Sequence, residues 1–129
     1  MAEPSAGLTA TATFTVTETD TAAALGSGDL AVLGTPRLLA WLEAVTCAAV
    51  EGHLPTGQTT VGTKVAVAHR AASSVGTSVV ATATVIRVEG RTISYDVTAL
   101  DQATGGILGE GEIVRARVDR ERFLSRLAR

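Results

Sequence analysis

Aromatic residues are nearly missing from this chain: two Phe, one Tyr and one Trp make up 3% of 129 residues. A core of this size must therefore be filled by Val, Ala, Leu and Ile, with many threonines beside them. A single cysteine, Cys47, excludes an intramolecular disulfide and a multi-cysteine zinc site. With only two histidines as well, neither a structural metal nor a cofactor is expected. Cationic runs with interleaved aromatics are absent and the formal charge is −2, which argues against nucleic acid as the partner. No apolar run is long enough to cross a bilayer, and the start "MAEPSAGLTATATF" lacks the basic and hydrophobic blocks of a signal peptide. A cytoplasmic protein with no membrane partner is the expectation.

What is present is a patterned chain that reads as a single domain, 1–129, with residues 1–8 flexible. In "TATATFTVT", Ala10, Ala12, Phe14 and Val16 alternate with threonines, the signature of a strand with one buried face. The connection 18–34 centres on Gly26, Ser27 and Gly28 and is long enough to serve as a lid. Then comes "GTPRLLAWLEAVTCAAVEGHLP", where Thr35 reads as a cap and Pro36 as the first helical residue. Leu38, Leu39, Trp41, Leu42, Val45, Ala48 and Ala49 spread round most of the circumference, so this helix should be enclosed, for example by a curved sheet. Four strand patterns follow: "TTVGTKVAVAHRA", "TSVVATATVIRV", "TISYDVTALD" and "ILGEGEIVRARV". A short amphipathic helix over 119–129 ends the chain. One helix against a meandering antiparallel sheet is an α+β arrangement, and one helix is too few to cover such a sheet. A homodimer through the sheet edge or the helix face is expected, and a higher oligomer is compatible with the pattern.

Two polar residues interrupt the apolar layers. Glu43 has only Leu39, Ala40, Thr46 and Cys47 one turn away. A carboxyl in such a place either reaches solvent, pairs with an arginine such as Arg37 or Arg115, or is enclosed. Enclosure raises a carboxyl's pKa and suits it to act as a general base or nucleophile. His69 alternates with Thr63, Val65 and Val67 on the presumptive core face, so the two anomalies suggest each other as partners. His53, flanked by Gly52 and Pro55, reads as surface loop. Thr35 and Glu43 are about 12 Å apart on a continuous helix at roughly 1.5 Å per residue, too far for direct contact. A site using both must be bridged by substrate or completed by a second subunit.

Over residues 10–125 the chain resembles the fluoroacetyl-CoA thioesterase family of hotdog-fold acyl-CoA thioesterases. The resemblance rests on "GTPRLLAWLEAVTCAAV", on "VGTKVAVAHRAASSVG", on "VEGRTISYDVTALD" and on "GEGEIVRARV" followed by "ERF". It implies a hotdog fold, an antiparallel sheet wrapped around one long central helix, and hydrolysis of an acyl-CoA or related thioester with a small acyl group. It also implies a catalytic set of Thr35, Glu43 and His69, with Gly62, His69 and Arg115 contacting substrate. One departure stands out: 18–34 contains no Phe, Tyr or Trp, whereas the fluoroacetyl-specific pattern has an aromatic lid. A non-catalytic hotdog module binding an acyl thioester, or a hydratase on the same fold, are the readings from other classes.

Overall fold

Alternation and helical periodicity are both realised. The computed structural model describes residues 3–128. Strand β1 (Thr9–Thr15) leads through a single 3-10 turn (Glu18–Asp20) and a one-turn helix α1 (Ala22–Leu25) into the long helix α2 (Thr35–Ala49). Strands β2 (Gln58–His69), β3 (Ser78–Glu89), β4 (Thr92–Asp101) and β5 (Ile107–Asp119) follow, then the short helix α3 (Arg120–Ser125). The five strands form one antiparallel sheet in the order β1-β3-β4-β5-β2. This is the α+β arrangement the pattern predicts and the hotdog architecture the resemblance implies.

The apolar stripe Leu38, Trp41, Leu42, Val45 and Ala49 of α2 is buried against Val79, Ala81, Ala83 and Val85 of β3 and Ile93, Tyr95 and Val97 of β4. Each such Leu or Val contributes on the order of 1.5–3 kcal/mol through burial. Trp41 stacks on Phe14 of β1, with ring centroids 4.8 Å apart and planes 7° from parallel, so half of the aromatic residues serve one contact at this edge. Gly111 on β5 is required by close approach: a Cβ there would lie 2.0 Å from the Ala66 carbonyl oxygen. Only a bare backbone lets β5 and β2 bend together as the sheet curves over α2.

Two expectations need correction, those on the helix's enclosure and on the face of β2, and two others gain detail. The helix is enclosed on one side only, because a single chain has no second layer to cover the other: Ala40, Ala44, Cys47 and Ala48 are exposed. His53 is half-buried, since the turn after α2 folds back to begin β2 and its N–H is donated to the Val50 carbonyl. Of the start expected to be flexible, Met1 and Ala2 lie outside the described residues. Glu3 is held by Arg117 at 2.9 Å, and Gly7 donates its N–H to the Val85 carbonyl at 2.8 Å. Finally, the pairing of β2 with β5 shifts between Gly62 and Lys64. That bulge replaces Thr63 by Gly62 on the face shared with Val65, Val67 and His69, opposite Arg115.

Candidate active site

Helix α2 begins one residue earlier than the Thr-Pro signature suggests. Gly34 is the cap and makes no side-chain cap bond, while Thr35 is already helical. Its hydroxyl is thereby free for a tertiary contact, and Thr35 Oγ1 lies 2.7 Å from Nδ1 of His69 at the last position of β2. His69 is half-buried, and its Nε2 is enclosed without a hydrogen-bond partner among the described residues. Burial lowers the imidazole's pKa from the ordinary 6.5, against a smaller opposing pull from the Ala71 backbone. The ring is therefore neutral at pH 7, with one nitrogen able to accept a proton.

Two helical turns further on, Glu43 meets a different environment. Its Oε2 accepts from Arg115 Nη1 at 2.9 Å. The arginine side chain is only 9% exposed and its other two nitrogens are engaged: Nε gives to Thr60 Oγ1 at 2.9 Å and Nη2 to the Thr60 carbonyl at 3.0 Å. The planar fork is thus clamped by β2 and aims one N–H at the carboxylate. The Glu43 side chain itself is 38% exposed, so it is not the enclosed carboxyl that an all-round apolar helix suggested. Gly62 completes this corner by what it lacks, since a Cβ there would fall 2.6 Å from Oε2 of Glu43 and 3.4 Å from Nη1 of Arg115.

The five expected residues are therefore joined as two groups, Thr35–His69 and Glu43–Arg115–Gly62, and the expected Glu43–His69 partnership does not form within one chain. Its carboxylate has found the arginine instead. Sequence reasoning missed Thr60, which is one threonine among many and carries no local signal. It also missed Asp20, whose Oδ1 lies 2.9 Å from Nε of Arg37 and ties the strap 18–34 to the first turn of α2. An open groove of about 270 Å3 lies beside Thr35 and His69 and along residues Ala22, Ser27, Val32 and Leu33 of that strap. A larger hollow of about 580 Å3, lined by Lys64, Asp96, Glu110 and Glu112, touches none of the five residues.

A five-stranded antiparallel sheet curved over one long helix, with an arginine-held carboxylate on that helix and a histidine at the end of the edge strand, defines a hotdog-fold thioesterase. Over 96% of this chain and 95% of the other, it is similar to the structure of the fluoroacetyl-CoA thioesterase FlK, at 29% identity and a TM-score of 0.87. A hot-dog-like protein from Thermanaerovibrio acidaminovorans shares the fold at 24% identity and TM-score 0.85, covering 95% of this chain and 89% of that one. So does a thioesterase superfamily member from Thermus thermophilus, at 20% identity and TM-score 0.89, covering 98% and 93%. No curated protein matches the sequence. Residues 16–121 match the family described as fluoroacetyl-CoA-specific thioesterase, FlK, and the chain belongs to that family. It is accordingly a thioester hydrolase.

Proposed function

We propose that the protein is a cytoplasmic homodimer that hydrolyses acyl-CoA thioesters at sites built from both subunits. The observation that carries this reading is the separation of the two groups. Gly62 and His69 lie seven residues apart on β2, about 23 Å at roughly 3.3 Å per residue. Strand β2 is the last of the sheet, with a free edge of twelve residues that are exposed from Gly62 to Ala66. A free edge of that length invites antiparallel pairing. With a two-fold axis through Val65 or Ala66, the strand of one subunit runs back along the other. His69 then comes to lie across from residue 61 or 63 of the partner subunit, beside its Gly62. The exposed face Ala40, Ala44, Cys47 and Ala48 of α2 is covered in the same step. Each site then holds Thr35 and His69 from one subunit and Glu43, Arg115 and Gly62 from the other.

In such a site Glu43 supplies the electron pair that attacks the thioester carbonyl carbon, directly or through a water whose proton it takes. Arg115 keeps the carboxylate aimed and adds positive charge on the carbonyl side. The bare backbone at Gly62 lets the carbonyl approach closely. The C–S bond breaks as the tetrahedral intermediate collapses, and the thiolate leaves as free CoA once protonated. His69, neutral and oriented by Thr35, relays that proton. On the direct route a water then hydrolyses the acyl–Glu43 anhydride and restores the carboxylate, so that on either route the products are the free acid and the thiol.

Thiol release from a panel of acyl-CoA thioesters tests the reading. The protein should turn over at least one short acyl-CoA, and Glu43→Gln and His69→Ala should each lower kcat by about 10²–10⁴-fold with the fold intact. Binding of acyl-CoA without thiol release would instead identify a non-catalytic module.

A further inference from the structure

The cavity beside His69 carries a statement about the acyl group, and it rests on the hydrolytic reading above. It is lined by Ala22, Ser27, Val32, Leu33, Ala71 and Ala72 together with Thr35 and His69. No aromatic side chain and no carboxylate lines it. Its one charged neighbour, Arg70, is engaged with Glu110. Ala22, Val32, Leu33, Ala71 and Ala72 reward saturated carbon, and beyond Thr35 and His69 the Ser27 hydroxyl is the one uncharged polar group on the lining.

The wall is also built rather than loose. Ala22 N–H donates to the Val32 carbonyl at 2.8 Å, and Ala23 N–H to that of Leu30 at 3.1 Å. Gly34 N–H reaches the Asp20 carbonyl at 2.9 Å, and Leu33 N–H the Ser73 carbonyl at 2.8 Å. The Arg37–Asp20 pair locks the strap to α2. A Cβ on Gly34 would stand 3.1 Å from the Ala22 backbone, so α1 is seated hard against the start of α2. The space beside it is therefore a standing feature of the fold.

Its size sets a length. At roughly 30 Å3 per water-sized group, 270 Å3 corresponds to about nine such groups. The groove is open, so not all of that volume holds a chain. An acetyl group would leave most of it to water. We infer that the preferred substrate carries an unbranched aliphatic acyl chain of about four to six carbons, running from the thioester carbonyl past His69 toward Ala22 and Ser27, with these two small residues setting the length limit.

The test compares acetyl-, butanoyl-, hexanoyl- and octanoyl-CoA on the wild-type protein, Ser27→Phe and Ala22→Leu. Ser27 is exposed, so its replacement does not threaten the core. Wild-type kcat/KM should rise about tenfold or more from acetyl to butanoyl or hexanoyl, and the hexanoyl-to-acetyl ratio should fall at least about tenfold in Ser27→Phe. Ala22→Leu should shift the same ratio in the same direction by a smaller factor. A wild-type preference for acetyl- or fluoroacetyl-CoA, or variants that lower every chain length equally, would overturn the inference. Should no chain length be hydrolysed, the hydrolytic reading fails separately. Calorimetry with the non-hydrolysable acetyl and hexanoyl thioethers of CoA then decides the cavity claim. Tighter hexanoyl binding that Ser27→Phe abolishes upholds it, and equal affinities overturn it.

Discussion

The two groups along α2 solve opposite problems. At the start of the helix, Thr35 and His69 form a neutral pair, half-open, with Nε2 unpartnered and the imidazole held uncharged by burial. Two turns on, Glu43 and Arg115 form an ionic pair in which the arginine is buried and every nitrogen is occupied. The first is poised to move a proton; the second fixes a charge in place. The difference teaches that the fold keeps the two chemistries apart within one chain: His69 stands at the end of β2, and the ionic pair packs beside Gly62, seven residues earlier. They can serve one reaction if substrate spans them or, as proposed above, if a second subunit's strand runs back along β2.

Gly62→Ala strikes the ionic group hardest. The added Cβ would overlap the carboxylate oxygen, the carboxylate must swing away from Arg115, and a displacement near 1 Å can cost about 10²-fold in turnover. Because the displaced atom is the end of a flexible side chain, the fold should survive, as circular dichroism and thermal unfolding can check. If Gly62→Ala keeps full activity, the observed Glu43 position is not the working one.

Thr35→Val removes the hydroxyl from the neutral group. A drop of about tenfold in kcat with under ~1 kcal/mol lost from stability is expected, because the lost bond lies at a half-open site. A comparable fall in both would make Thr35 a structural residue only.

The pH profile sharpens the same contrast. His69 acts in its neutral form and its pKa is lowered, so kcat/KM should hold to below pH 6.5 before it falls on the acid side. Stability has the same sign: below 6.5 the unfolded chain takes up the proton first, so this histidine's contribution is lost as pH falls. An acid limb above 6.5 that His69→Gln leaves in place would assign it to another group.

The smallest effect is expected away from both groups. Tyr95 is fully buried, its hydroxyl has no partner among the described residues, and burial pushes its pKa up to about 12. Tyr95→Phe should therefore leave stability unchanged or raise it by about 1 kcal/mol in urea unfolding.

Much of this fold was legible because it is written in short-range alternation. Strand β4 runs over Thr92–Asp101, the span its pattern marks, and the glycines before Ile107 mark the turn and bend they suggest. The candidate site's residues could be named from the sequence, but their contacts could not. Thr-Pro is a strong cap signature, yet the Thr35 hydroxyl goes to a histidine 34 residues away. Parity along β2 places His69 on the helix side, but it says nothing about distance along the strand. Counting through the strand also misses the bulge that turns Gly62 toward Glu43. Glu43, read as an anomaly in an apolar helix, has its answer in Arg115, which itself needs Thr60, and no local spacing announces that triplet. The helix's apolar girth was read correctly, though the pattern does not say whether its own sheet or a second subunit covers it.

The most direct measurement of shared sites is complementation between inactive variants. Glu43→Gln and His69→Ala proteins, each inactive alone, are unfolded together, refolded as a mixture and assayed for thiol release. If each site takes its carboxylate and its histidine from different subunits, a mixed dimer contains one intact site and one doubly damaged one. Random pairing should then restore about a quarter of wild-type activity. If both residues serve from the same chain, no mixed dimer holds an intact site. The mixture would stay as inactive as its components, and the shared-site account would be contradicted.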